Sequence, residues 1–334
     1  MRAMQLEQPA MIDTAPLRLV ERPMPEPGAG EVRVRVHVCG ICRTDLHVVE
    51  GDLPPQQPRI VPGHQVVGVV DALGAGCTRL AVGQRVGIAW LRSTCGSCAF
   101  CARGDENLCA AATFTGWSAD GGYADFALVR EDFAYLLPDT IGDAEASPLL
   151  CAGIIGYRAL RRANLRRGGR LGLYGFGASA HIAIQIARHL GARVFVMTRE
   201  ARHRQLALTL GAEWTGGADA PAPAPLDSAV LFAPAGELVP TALAALDRGG
   251  TLALAGIHLS PVPSLDYQRH LFQERTLQSV TANTRQDGIE LLRLAAEIPI
   301  RPHTVPFDLA DANRALHQLK HDGFEGAGVL RVAG

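Results

Sequence analysis

The sequence predicts an α/β chain of two domains, a β-rich first half followed by a doubly wound parallel sheet. Three observations carry this. Val32, Val34, Val36 and Val38 alternate with Arg33, Arg35 and His37, the period of two that marks a half-buried strand. Glycine and proline recur densely through the first 150 residues, as short strands joined by turns require. Beyond about residue 150 apolar runs alternate with helical spacing, the pattern of a parallel sheet covered on both faces.

Taken in order, Val66 to Val70 is a second apolar run, bounded by Gly63 and Gly74. Arg170 to Tyr174 reads as a buried strand, and Ile182, Ala183, Ile186, Ala187 and Leu190 then repeat at helical spacing until Gly191 ends the helix. Arg193 to Met197 is the next strand, Arg202 to Leu210 the next helix, and Ala229 to Phe232 and Thr251 to Leu254 two further strands. The alternating Ala-Pro stretch from 218 to 225 suits an extended connector. The expected boundaries are 1–150 for the first domain, 151–285 for the second, and 286–334 for a segment that returns to the first.

The 334 residues are enough for two packed cores. Hydrophobic residues at 48% and charged residues at 19% are ordinary globular values. A net charge of −1 offers no basic field for nucleic acid or an anionic membrane surface. No apolar run reaches membrane-spanning length, and the first residues lack the apolar stretch of a secretory leader. A cytoplasmic protein is expected, so the eight cysteines point to metal or catalysis rather than disulfides.

Four of the cysteines cluster: Cys95, Cys98, Cys101 and Cys109. Four thiolates this close can enclose one tetrahedral Zn²⁺ with no position left for water, which is a structural site. It would pin a lobe, about 92–112, that has few apolar residues of its own. A redox pair, an iron–sulfur site or reduced bystanders are the alternatives. Cys39, Cys42, Cys77 and Cys151 are scattered; each alone reads as a small buried residue.

Gly175-Phe176-Gly177-Ala178-Ser179-Ala180 follows a strand and opens a helix. Gly175 permits the tight turn, Gly177 lets backbone approach a pyrophosphate at the helix N-terminus, and Ala180 stands where the third glycine of the dinucleotide fingerprint falls.

Several stretches, in the same order, resemble the zinc-dependent alcohol dehydrogenases of the medium-chain dehydrogenase/reductase family. They are Gly40-Ile41-Cys42-Arg43-Thr44-Asp45-Leu46-His47, Pro62-Gly63-His64, the cysteine cluster with its 3-3-8 spacing, Gly121-Gly122-Tyr123-Ala124-Asp125-Phe126, and Leu150-Cys151-Ala152-Gly153. The resemblance spans most of the chain. It implies a GroES-like catalytic domain plus a Rossmann domain, with the active cleft between them. It also implies two Zn²⁺ per chain, NAD(H) or NADP(H), and assembly as a homodimer or homotetramer.

By the same resemblance Cys42, His64 and Cys151 hold the catalytic zinc, leaving an open position for a substrate oxygen, whose pKa the metal lowers. Asp45 would orient His64. Thr44 would carry the alcohol proton away and His47 would pass it to solvent. Arg43 would contact the cofactor phosphates. Thr198 falls where NAD-dependent relatives carry an aspartate, and Arg199 beside it could pair with a 2′-phosphate, which favours NADP.

Two departures stand out: Gln65 replaces a usual glutamate after the ligand histidine, and Ala327 a frequent arginine. Leu53, Trp90 and Leu91 fall where relatives line the substrate pocket, and Leu53 replaces the tryptophan of some small-alcohol enzymes. A reversible oxidation of primary alcohols to aldehydes is expected, aromatic or longer-chain alcohols included. The competing functions are a polyol dehydrogenase, a zinc-free quinone reductase, and a nucleotide-binding redox sensor without turnover.

Overall fold

The computed structural model describes residues 1–298 and 300–332. Along the chain, β1 (Arg2–Leu6), β2 (Leu17–Glu21) and β3 (Glu31–Gly40) lead to helix α1 (Arg43–Glu50). There follow β4 (Gln65–Leu73), β5 (Arg85–Ile88), β6 (Leu91–Ser93), the short α2 (Ala99–Ala102), β7 (Thr113–Phe114), β8 (Phe126–Arg130), β9 (Ala134–Leu136) and α3 (Asp143–Pro148). The second stretch holds α4 (Ile154–Arg162), β10 (Arg170–Tyr174), α5 (Ala178–His189), β11 (Arg193–Met197), α6 (Ala201–Thr209) and β12 (Trp214–Gly216). It continues with β13 (Leu226–Leu231), α7 (Leu238–Ala244), β14 (Leu246–Leu254), α8 (Tyr267–His270) and β15 (Thr276–Ser279). The chain ends on α9 (Arg285–Glu297), β16 (Thr304–Asp308), α10 (Ala312–Lys320) and β17 (Ala327–Arg331).

These elements form two compact units. One comprises Met1–Cys151 and the chain from Ala282 on; the other is Ala152–Thr281. The first is built on a seven-stranded sheet ordered β16-β17-β3-β4-β5-β9, with β8 also paired to β3. The alternation read from the sequence decides which way β3 faces: Val32, Val34, Val36 and Val38 are buried, whereas Arg35 is exposed and Arg33 and His37 half-buried. Val32, Val34 and Val36 join Leu6, Ile12, Val66, Ile88, Phe133 and Leu316 in one core. Because Cys39 pairs with Val66 and Gly40 with Gln65, the end of β3 and the start of β4 bring residues 41–42 beside residues 63–65.

The second unit carries a six-stranded sheet, every pairing parallel, in the order β12-β11-β10-β13-β14-β15. The chain starts at β10, winds outward through β11 and β12, and then reverses across β10 to β13. That reversal is the switch point at which doubly wound sheets bind ligands. The expected fold class, a GroES-like unit plus a Rossmann-type sheet, is borne out. Residues 218–225 hold no helix or strand, since their prolines cannot donate to either. Among the described residues no helix is long and apolar enough to cross a membrane.

Candidate metal and nucleotide sites

Helix α1 begins on a candidate metal ligand. Cys42 is the N-cap: its sulfur accepts from the Thr44 N–H at 3.3 Å, and its own N–H donates to Asp45 Oδ2 at 2.9 Å. Asp45 thus caps the helix with one oxygen. Its other oxygen, Oδ1, accepts from His64 Nδ1 at 2.9 Å, with both side chains buried. That bond fixes the imidazole so that Nε2 faces outward from the carboxylate.

Nε2 of His64 lies 3.3 Å from Cys42 Sγ and 3.3 Å from Cys151 Sγ, and the three donor atoms lie within 4.8 Å of one another. Zn–S bonds of 2.3 Å and Zn–N bonds near 2.05 Å at tetrahedral angles put sulfur and nitrogen about 3.6 Å apart. The observed spacing is within a few tenths of an ångström of that, so the donor set fits zinc. Three donors leave a fourth coordination position open. Cys42 and Asp45 bring negative charge to the cluster, and a metal would take the place of the proton on His64 Nε2. The neighbouring Cys151 thiol and the His64 imidazolium pull the Cys42 thiol well below its usual range. Burial disfavours a charged His64, but the Asp45 carboxylate and the Cys42 thiolate outweigh it and hold its pKa well above the usual value.

Cys151 reaches this point from a π-helical turn, Leu149–Gly153, that follows Pro148. Proline has no N–H to continue the α-helical ladder, and widened turns of this kind recur at functional sites. Ser147 ties the turn down by donating to the Gln65 carbonyl at 2.7 Å. The packing opposite is close: a Cβ at Gly40 would sit 2.8 Å from Gln65 Oε1 and 2.9 Å from Ser147 Oγ, so these side chains would have to shift. Gln65 itself is buried, and its Nε2 has no hydrogen-bond partner among the described residues.

Thr44 is buried in the first turn of α1. His47 lies one turn on, at the i+3 position that shares its face. It is partly exposed, with Nδ1 2.9 Å from Asp52 Oδ2. Trp90 meets the His64 ring edge-on, with centroids 5.0 Å apart, and stacks on Phe114 and Trp117 at 5.1 and 5.9 Å. Leu53 is half-buried against the core beyond the end of α1. Leu91 corrects an expectation. It has no exposed surface and belongs to the core of the first unit; it cannot line a pocket. Phe114 and Trp117, unremarked in the sequence, form an aromatic cluster with Trp90.

The four clustered cysteines come together separately. Cys95 Sγ lies 3.6 Å from Cys109 Sγ and 3.9 Å from Cys101 Sγ, and Cys98 Sγ lies 3.6 Å from Cys101 Sγ. Tetrahedral Zn–S bonds of 2.3 Å require sulfur–sulfur edges of about 3.8 Å, whereas a disulfide closes to about 2.05 Å. The backbone amides of Ser97 and Cys98 pull the Cys95 thiol down to about 6. Sequence reading did not find the lobe's anchor. Glu106, 5% exposed, accepts from the Arg285 backbone N–H at 2.7 Å and from its guanidinium at 2.6 Å, and Arg285 also lies over the Phe133 ring.

In the second unit β10 runs into Gly175, whose φ of +87° belongs to the left-handed region, and a Cβ there would lie 2.8 Å from the Ala233 nitrogen. Phe176 is buried, Gly177 caps α5, and Ala178 opens it. A Cβ on Gly177 would meet nothing within 4 Å, so room exists before the helix N-terminus for a phosphate group. Ala180 is wholly buried, consistent with packing at the third fingerprint position. At the end of β11, Thr198 is buried and its carbonyl accepts from Arg204 Nη1 at 2.9 Å. Arg199 is exposed, and its guanidinium has no ion-pair partner among the described residues. Arg43 is exposed on the other unit, 3.3 Å from Asp322.

Comparison with known proteins places these features. Residues 28–139 match the model of the alcohol dehydrogenase GroES-like domain, and 178–297 that of the zinc-binding dehydrogenases. A probable alcohol dehydrogenase AdhA of Mycobacterium tuberculosis is 53% identical over 99% of this chain and 97% of its own. An alcohol dehydrogenase of Geobacillus stearothermophilus is 33% identical over 95% of this chain and 96% of its own. Among solved structures, a cinnamyl alcohol dehydrogenase of Sorghum bicolor superposes with a TM-score of 0.90 at 27% identity, covering 100% of this chain and 98% of that one. A cobalt- and zinc-bound thermostable alcohol dehydrogenase of Pyrobaculum aerophilum gives 0.89 at 27% identity, covering 99% of each.

Proposed function

The chain belongs to the zinc-dependent medium-chain alcohol dehydrogenases, and from that premise we propose that it oxidises aromatic or longer primary alcohols to aldehydes with NADP⁺ preferred, holding its catalytic zinc on Cys42, His64 and Cys151. It is an alcohol oxidoreductase. The observation that carries the finer reading is the convergence of two sulfurs on His64 Nε2, with Asp45 behind the ring. Cys95, Cys98, Cys101 and Cys109 would hold a second, structural zinc, because all four positions are filled by protein. A homodimer or homotetramer in the cytoplasm belongs to the same reading.

When bound, zinc supplies a Lewis acid for the alcohol oxygen and the nicotinamide supplies the hydride acceptor. The protein's part is positional and protonic. Thr44 Oγ1 takes the alcohol proton and His47, on the same face of α1, delivers it to solvent. Asp45 keeps His64 in the tautomer that presents Nε2 as a donor. Gly175 and Gly177 leave the backbone of α5's first turn open to a pyrophosphate. The aromatic face made by Trp90, Phe114 and Trp117 supports a flat, apolar substrate, since ring pairs add about 0.5–1.5 kcal/mol beyond buried area. The quinone reductase alternative has no use for a Cys/His/Cys set, and the polyol dehydrogenase and redox-sensor alternatives are tested by turnover.

Asp45→Asn keeps the helix cap but weakens the carboxylate behind His64. Metal affinity is expected to fall about 10- to 100-fold, read by competition with a chromogenic chelator; unchanged affinity would remove Asp45 from the site. Cofactor and substrate choice are tested by kcat/KM for benzyl alcohol and ethanol with NAD⁺ and NADP⁺ in parallel. Benzyl alcohol with NADP⁺ is expected to be best. Arg199→Ala should cost about 10-fold with NADP⁺ and little with NAD⁺, as for one lost charged hydrogen bond. A steep fall from ethanol to benzyl alcohol would contradict the substrate reading, and an equal loss with both cofactors would contradict the role of Arg199.

A further inference from the structure

A third set of metal-ligating side chains lies in the first unit, away from both cysteine sites. His317 lies on α10 and His321 directly follows that helix as its C-cap. Four residues apart, they share a face, and their ring centroids are 4.6 Å apart. Asp13 lies in a 3₁₀ turn, Ile12–Thr14, far away in sequence. Its Oδ1 is 3.2 Å from His317 Nε2 and 3.6 Å from His321 Nε2, and the three atoms fall within 4.8 Å of one another.

We propose that Asp13, His317 and His321 form an additional binding site for a borderline divalent cation of the Zn²⁺ class, joining the N-terminal turn to the C-terminal helix of this unit. Nitrogen and oxygen donors at 2.0–2.1 Å around a tetrahedral zinc stand about 3.3 Å apart, and the two observed edges bracket that value. Two imidazoles with one carboxylate suit Zn²⁺ or Ni²⁺ rather than Mg²⁺ or Ca²⁺, which take oxygen donors. All three side chains are about half exposed, so a hydrated ion can reach them and water can complete its coordination.

The frame is held in place before any ion arrives. Ile12 is buried, and its N–H donates to Glu50 Oε1 at 2.9 Å. Asn313 on α10 exchanges two hydrogen bonds with the Leu17 backbone. Lys320, the single lysine of the chain, takes the other oxygen of Asp13 at 3.3 Å and also Glu50 at 2.9 Å. That leaves Oδ1 to the histidines. Asp13 and Glu50 against Lys320 leave one net negative charge, and the carboxyl end of α10 adds a partial negative potential.

The test is calorimetric titration of ZnCl₂ into the dialysed enzyme with its resident metal in place. The wild type is expected to take up one further Zn²⁺ per chain. His317→Ala and His321→Ala should each weaken that uptake at least ~10-fold, with resident zinc and alcohol oxidation unchanged. Lys320→Gln should tighten it by removing a competing cation. No further equivalent in the wild type, equal uptake in both histidine variants, or equal uptake of Mg²⁺ would overturn the proposal. None of these readouts depends on how the catalytic site is read.

Discussion

Cys151→Ser is expected to abolish alcohol oxidation, lowering kcat/KM by at least ~10³-fold, because a metal Lewis acid contributes several kcal/mol to the transition state and each 1.36 kcal/mol is tenfold in rate. Serine keeps the size of the side chain and the π-helical turn that carries it. What it removes is a soft thiolate from a three-donor set in which His64 Nε2 sits 3.3 Å from each sulfur. A hydroxyl is a poor zinc ligand near neutral pH, so zinc should fall by one per chain. Far-UV circular dichroism and the melting temperature should change little, since Ser147 and Gln65 still hold the turn. Retained zinc with retained rate would remove Cys151 from the metal.

Cys98→Ser should act on stability rather than on chemistry. The lobe around it has little apolar burial: Cys95 and Phe100 are exposed and α2 spans four residues. Structural zinc sites of this kind bind with about 10–16 kcal/mol in isolated peptides, much of it consumed in ordering the chain. Losing the site should lower the melting temperature by roughly 5–15 °C, given about 2–4 °C per kcal/mol for a unit of this size. Limited proteolysis should cut between residues 92 and 112, while the Glu106–Arg285 pair keeps the base of the lobe attached. Zinc should again fall by one per chain, with activity at low temperature largely kept. Equal melting and equal proteolysis would show that the four thiols are bystanders.

How much of this was legible depends on sequence distance. The valine alternation of β3 and the strand–helix alternation of the second half are local patterns, and the sheets follow them. The cluster Cys95, Cys98, Cys101 and Cys109 was legible for the same reason, its four members lying within one short stretch; Cys42, Asp45, His64 and Cys151 were implied only by the family resemblance, since each alone reads as a buried residue or a polar turn. That Asp45 serves the helix cap and His64 at once was not legible, because it depends on the register that sets β3 against β4. The Glu106–Arg285 anchor joins residues 179 apart, and nothing in either neighbourhood marks the pairing. The His317/His321 spacing could have been read as a helical pair; Asp13 could not. Leu91 was misplaced because position beside Trp90 says nothing of the face a strand residue takes, and Leu91 lies wholly in the core.

The most direct test of the account is zinc content measured alongside the initial rate of NADPH or NADH formation with benzyl alcohol, before and after chelation. The account predicts a rate that falls to background as the chelator removes zinc and returns when Zn²⁺ is restored. A rate that persists in zinc-free protein, or no rate with either cofactor in protein shown to hold zinc, would contradict it.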